Sequence, residues 1–204
     1  MEFGRFNFDN PVWVFMGKLV DMVLLSGLWL LCSLPVVTVG ASTAALYYVT
    51  LKLERNQEGY VVSDFFRAFR DNLKQGTAVS IAAGGIATVL AGDFYLAYQM
   101  KNSLGILLFW VLVVIAAVFL IIMVHMFPLM ARCDTDLKHL TAMAFVIGVK
   151  NFGWTLLMLA SIALFLTAGI FWMMPLLFVA VGGCAYLHAK ILRVAWQGYG
   201  LELQ

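Results

Sequence analysis

Four stretches of this chain stay apolar for longer than a bilayer is thick: Val12 to Leu34, Thr77 to Ala97, Leu104 to Met130, and the tract from Phe152 to Leu192. A helix needs about 20 such residues to cross the hydrocarbon layer. Inside lipid every backbone amide must find its partner within the protein, so runs of this length are read as helices. The last tract is long enough for two, with a turn expected at "GIFWMMP", Gly169 to Pro175, where glycine and proline weaken helix continuity. Hydrophobic residues make up 63% of 204 positions and charged ones 12%, whereas a soluble domain is about half apolar and a quarter charged. The expected fold is an all-α polytopic membrane bundle forming one domain over residues 1–204, with no room for a separate soluble domain.

Between the first two long runs lies "SLPVVTVGASTAALYYVTLKL". Pro35 disfavours continued helix before it, the valines and Thr38 favour an extended connection, and Gly40 permits a tight re-entry. The reading is an elbow at Pro35, Thr38 and Gly40, followed by a short helix from Gly40 to Leu53. Its small residues, Gly40, Ala41, Ser42, Ala44 and Ala45, would let it tuck against neighbours. That makes six segments, five full spans and one tucked helix.

Lysine and arginine set the orientation. Ten of them sit in the connections after Leu51, Met130 and Val149 and near the C-terminus, while Lys101 stands alone between two spans. If the tucked helix completes a crossing, Arg5 and Lys18 join the ten, giving twelve against one. Both termini are then expected in the cytoplasm of a multi-pass protein of the bacterial cytoplasmic membrane. The N-terminus lacks a compact basic region and a small-residue cleavage site, so the first span is expected to be retained.

"SDFFRAFRDNLKQGT", Ser63 to Thr77, reads as an amphipathic cytoplasmic elbow helix capped by Ser63. Phe65, Phe66 and Phe69 group on one side and Arg67, Arg70 and Lys74 on the other. These six residues are a candidate lipid or partner contact. "RDNLKQGT" and "VKNFGWT", with "DNPVWVF" near the start, suggest a repeat of three helical hairpins.

Ser80, Gly84, Thr88 and Gly92, spaced by four, form a small-residue stripe expected to pack inside the bundle, with a homo-oligomer face as the lesser reading. Asp93 and His125 are the candidate polar path; interfacial hydration and a hydrogen-bonded core histidine are the plainer readings of the two. Lys18 and Asp21 can pair on one face. "RCDTDLKH" offers Cys133, Asp134, Asp136 and His139, but the spacing fits no zinc or calcium loop, and no metal or cofactor is assigned. Cys32, Cys133 and Cys184 imply no disulfide framework. A net charge of +2 without a basic stripe argues against a nucleic-acid partner, and no catalytic motif is present to suggest an enzyme.

At "SLPVVTVGASTAALYYV" followed by "DFFRAFRDNLKQGT", with the sparser "KNFGWT" later, the sequence resembles the YesL-like family of bacterial membrane proteins of unknown function. The resemblance carries over no catalytic residue. It implies a place beside carbohydrate uptake in Gram-positive bacteria, as an accessory or regulatory protein that contacts a sugar-uptake component or its regulator. The alternative is a small transporter with a polar path near Asp93.

Overall fold

The computed structural model describes residues 11–55, 57, 59–133, 135–171 and 174–196, and the regular structure among them is helical, with no strand. Three long hairpins follow one another: α1 (Pro11–Ser33) with α2 (Val39–Glu54), α4 (Leu73–Gln99) with α5 (Ser103–Met130), and α7 (Phe152–Phe171) with α8 (Met174–Trp196). Two shorter helices, α3 (Val61–Asp71) and α6 (Leu137–Lys150), link them. Among the described residues, three helices are long and apolar enough to cross a membrane: α2 with its leading turn, α4 and α5. The α6–α7 pair, bent by 99°, makes a fourth if taken as one broken span.

The linking helices turn back along the hairpin just completed. Asp64 meets Lys52, Arg67 meets Tyr48, and Gly76 lies against Ala41, so increasing numbers from α3 into α4 meet decreasing numbers in α2. Likewise α6 returns along α5 until Gly148 lies against Ile121 and His125. Both end in an asparagine. The Asn72 and Asn151 side chains donate to Ala68 O (2.9 Å) and Ile147 O (3.2 Å), while their own carbonyls accept from Gly76 N and Thr155 N in the next helix. The two "N" motifs therefore do the same work, closing one helix and starting another in a new direction. The six-segment reading lacked α6 altogether, because Leu137 to Lys150 is too short and too polar at its ends to resemble a span.

The elbow is real in the chain path but not extended. Pro35 is extended, and Val36–Thr38 then form a 3-10 turn leading straight into α2. The Thr38 hydroxyl explains the difference. It lies 2.6 Å from Cys32 O and 2.7 Å from Pro35 O, sharing its hydrogen between carbonyls that the break leaves open. We expect Thr38→Val, which keeps the shape and removes the donor, to lower stability by about 1 kcal/mol in a detergent melt.

Of these three spans α2 is the most enclosed, whereas α4 and α5 expose most of their apolar surface, as lipid contact requires. Ala44 belongs to one core cluster, with Val124, Leu129, Met158 and Leu192. Ala45 belongs to another, with Leu25, Phe65, Ala131 and Ala185. Lipid tails are as apolar as leucine, so close packing and internal hydrogen bonds carry the association, and small side chains on both faces of α2 permit it. All five of its small residues are buried.

Two serine–glycine contacts mark the closest helix crossings. Ser80 donates to Gly76 O in its own helix and accepts from Gly40 N–H (2.7 Å), one of the free amides at the start of α2. Ser26 donates to Met22 O and accepts from Gly182 N–H (2.8 Å) in α8. A methyl group on Gly40, Gly76 or Gly182 would collide with backbone atoms of the helix opposite.

Candidate functional site

The polar groups that tertiary structure gathers inside the bundle centre on His188 of α8, a residue not singled out in the sequence. Its Nδ1 lies 2.7 Å from the Tyr47 hydroxyl of α2. Its Nε2 lies 2.7 Å from Ser161 Oγ, 3.3 Å from Met158 O of α7, and 3.6 Å from Cys184 Sγ one turn back on α8. His188 and Tyr47 are both buried, and their rings stack at 6.1 Å.

Hydrogen-bond roles follow from which atoms can only accept. Ser161 donates to Met158 O (2.7 Å), leaving its oxygen to accept from His188. With that same Met158 carbonyl also 3.3 Å from Nε2, Nε2 is assigned the ring hydrogen, and the bare Nδ1 accepts from Tyr47 O–H. The resulting chain runs Tyr47 to His188 to Ser161 to the Met158 carbonyl. A hydrolytic triad needs the opposite polarity, with Nε2 free to take a proton from the serine.

His125 lies near this chain on α5. Its Nδ1 is 3.1 Å from Ile121 O, which can only accept, so Nδ1 carries the hydrogen. Its Nε2 is buried without a hydrogen-bond partner. Gly148 covers the ring, and the Gly148 carbonyl accepts from buried Thr155 (3.0 Å), one turn before Met158. Polar groups thus extend from α5 through α6 and α7 to α8 and α2.

Asp93 is not part of this line. Phe94 packs on Phe109 at 5.5 Å, which sets Asp93 near the level of Phe109. His125 is sixteen residues farther along α5, about 24 Å at 1.5 Å per residue. The two residues named for a polar path, Asp93 and His125, thus lie far apart along the bundle, because antiparallel pairing of α4 with α5 sends them toward opposite ends of the hairpin.

The small-residue stripe expected inside the bundle packs at Ser80 alone: among the described residues nothing lies near a Cβ added at Gly84 or Gly92, and Thr88 bonds to Gly84 O of its own helix. The crossing with α2 lies one turn earlier, at Gly76 and Ser80, because α3 delivers α4 to the first turn of α2.

On α3, the expected face divides differently. Phe65 is fully buried and Phe69 half-buried against α2, while Phe66 remains 49% exposed. Asp64 binds Lys52 (2.6 Å) and Arg67 (2.9 Å), and Arg67 also reaches the Tyr48 hydroxyl. Arg70 and Lys74 are exposed. The helix begins at Val61 without a side-chain cap, so Ser63 lies inside its first turn and does not cap it.

The charged end of the bundle is tied by Arg193 to Glu54 (2.8 Å), and the Arg132 guanidinium stacks 4.5 Å over the Trp196 ring. Burial and the neighbouring Arg55 pull Arg132 down to about 10, leaving it protonated at neutral pH. Lys18 of α1 lies over Tyr186 of α8. Cys133 is half-buried and Asp136 and His139 are exposed at the start of α6; Asp134 lies outside the described residues.

This is the build of a multi-pass helical membrane protein with hydrogen-bonded polar groups in its interior. Residues 22–94 match a family described as "Protein of unknown function, DUF624". Over 144 residues the chain is 27% identical to the "Uncharacterized protein YesL" of Bacillus subtilis (strain 168), covering 69% of this chain and 68% of that protein. Over these stretches the chain is similar to proteins of unknown function, YesL among them. No solved structure matches the chain. The family-matched stretch runs from α1 into α4, so it contains the Gly40–Gly76 crossing and Tyr47, but not His125, Ser161 or His188.

Proposed function

We propose that this is a non-enzymatic accessory or regulatory membrane protein of bacterial carbohydrate uptake, crossing the cytoplasmic membrane six times with both termini inside. The resemblance to YesL-like proteins suggests the process, and the twelve-to-one basic charge count supports the topology. The observation that carries a docking role is the outer face of α3 together with the first turn of α4. Buried Phe65 and the Asp64 ion pairs hold this helix rigidly on α2, while Phe66, Arg70 and Lys74 point outward.

Arg67 is engaged within the chain, so the informative change is Arg70→Glu with Lys74→Glu. The double variant is expected to insert normally and to lose co-purification with a sugar-uptake component, measured by quantitative pull-down from native membranes. If nothing is enriched with the parent protein, and deletion leaves growth on oligosaccharides unchanged, the docking role fails.

A small transporter is the second reading, favoured by the His188–Tyr47–Ser161 chain, since polar and ionisable groups inside a membrane bundle often line a substrate or proton route. Substrate-specific flux in liposomes containing only this protein would select it over the accessory role.

A further inference from the structure

We propose that Lys18 of α1 and Lys190 of α8 hold the headgroup phosphate of an anionic phospholipid at the seam between these two helices. The convergence of two cations on one ring carries the argument. Lys18 Nζ lies 5.9 Å from the centroid of the Tyr186 ring, and Lys190 Nζ lies 5.2 Å from it. The two ammonium groups therefore stand no more than about 11 Å apart, the widest separation that two such distances to one point allow. They come from distant parts of the sequence. Helices α1 and α8 run antiparallel, with Gly182 against Met22 and Ser26 and Tyr186 level with Lys18, and Lys190 stands one turn farther along α8.

The tyrosine alone does not account for this meeting. A cation–π contact reaches to about 6 Å, so both ammonium groups lie near its outer limit. Both lysines also sit inside apolar helices, seven residues after the first of α1 and six before the last of α8. An ammonium group there is costly unless it reaches water or meets an anion. Two like charges drawn to one place repel, and a shared anion offsets that repulsion. Counting Asp21, one turn along α1 from Lys18, the two lysines still leave one positive charge in excess.

The surroundings select a lipid over a soluble anion. Lys190 is exposed, and Leu187 and Val194, about one turn to either side on the same face of α8, are exposed apolar residues. An acyl chain lying along this strip brings its headgroup to Lys190. Lys18 and Tyr186 lie half-buried at the seam, and the Tyr186 hydroxyl, without a hydrogen-bond partner among the described residues, adds a third donor at the ring. Arg193 and Trp196 follow Lys190 toward the charged end of the bundle, so the long lysine stems can carry their charges to the headgroup layer there. The site does not rest on the docking role of α3.

Native mass spectrometry of the full-length protein in detergent tests it, by titration with phosphatidylglycerol or with phosphatidylcholine, whose phosphate is balanced by its own choline cation. Phosphatidylglycerol is expected to bind at least about tenfold more tightly, a factor within reach of two lysine–headgroup contacts. Lys18→Gln with Lys190→Gln should lower that preference about tenfold, while Lys18→Arg with Lys190→Arg keeps it, because the attraction follows charge. No preference in the parent protein, or one unchanged by loss of both lysines, overturns the proposal. Inorganic phosphate at equal concentration should not displace the lipid; if it does, the site belongs to the free ion and the lipid assignment fails. Should the glutamine variant not fold, phosphatidylglycerol with a photoreactive acyl chain tests the unaltered protein. Cross-links are expected on the Leu187–Val194 strip of α8, and their absence there overturns the site.

Discussion

Gly76→Leu is expected to be the most damaging single change outside the polar line, and Gly84→Leu, eight residues along the same helix, nearly silent. At Gly76 an added Cβ would come within 2.5–2.6 Å of the Ala41 backbone, where no side chain can yield. The helices would have to part, losing the Gly40 amide bond to Ser80 as well. Overpacking typically costs about 1–3 kcal/mol and more where backbone is struck, so we expect about 3 kcal/mol or greater, or failure to fold. For a chain of this size that is roughly a 6–12 °C fall in melting temperature. Among the described residues nothing lies near a Cβ added at Gly84, and its substitution should stay within about 0.5 kcal/mol. Equal melting temperatures for the two variants in one detergent would refute the crossing.

Tyr47→Phe should be the next most costly, because it removes a donor and leaves His188 Nδ1 as a buried acceptor with nothing to receive. Leaving such a group unmet costs about 1–3 kcal/mol. Ser161→Ala should cost less, since Met158 O remains 3.3 Å from Nε2. The stronger test is the pair. Tyr47 and Ser161 act on opposite sides of one ring, so their combined effect should depart from additivity by at least about 0.5 kcal/mol. Thr38→Val, which acts at the elbow, should add to Tyr47→Phe without interaction. Additive behaviour of Tyr47→Phe with Ser161→Ala would mean that the chain of hydrogen bonds is not formed.

Much of the architecture was legible in the residues themselves, because a bilayer is an unusually strict solvent. Apolar runs of 20 or more residues mark α1, α4, α5 and the α7–α8 tract, and Pro35 marks the break before α2, since these signals depend only on local composition and backbone chemistry. The small residues of α2 announced close packing, and the asparagine motifs announced repeated joints. Long-range placement was not legible in the same way. Whether a glycine packs or faces open space depends on where a neighbouring helix crosses, and the return of α3 along α2 put that crossing at Gly76 and left Gly84 and Gly92 exposed. The division of Phe65 from Phe66, adjacent in sequence and opposite in burial, has the same origin. The polar site was hidden most completely. Tyr47, Ser161 and the Cys184–His188 pair lie in three separate apolar helices, with no spacing that links one helix to another. Only the packing of α2 and α7 against α8 brings their hydrogen-bonding atoms to one ring, and within the membrane interior that ring is where each of them finds a partner.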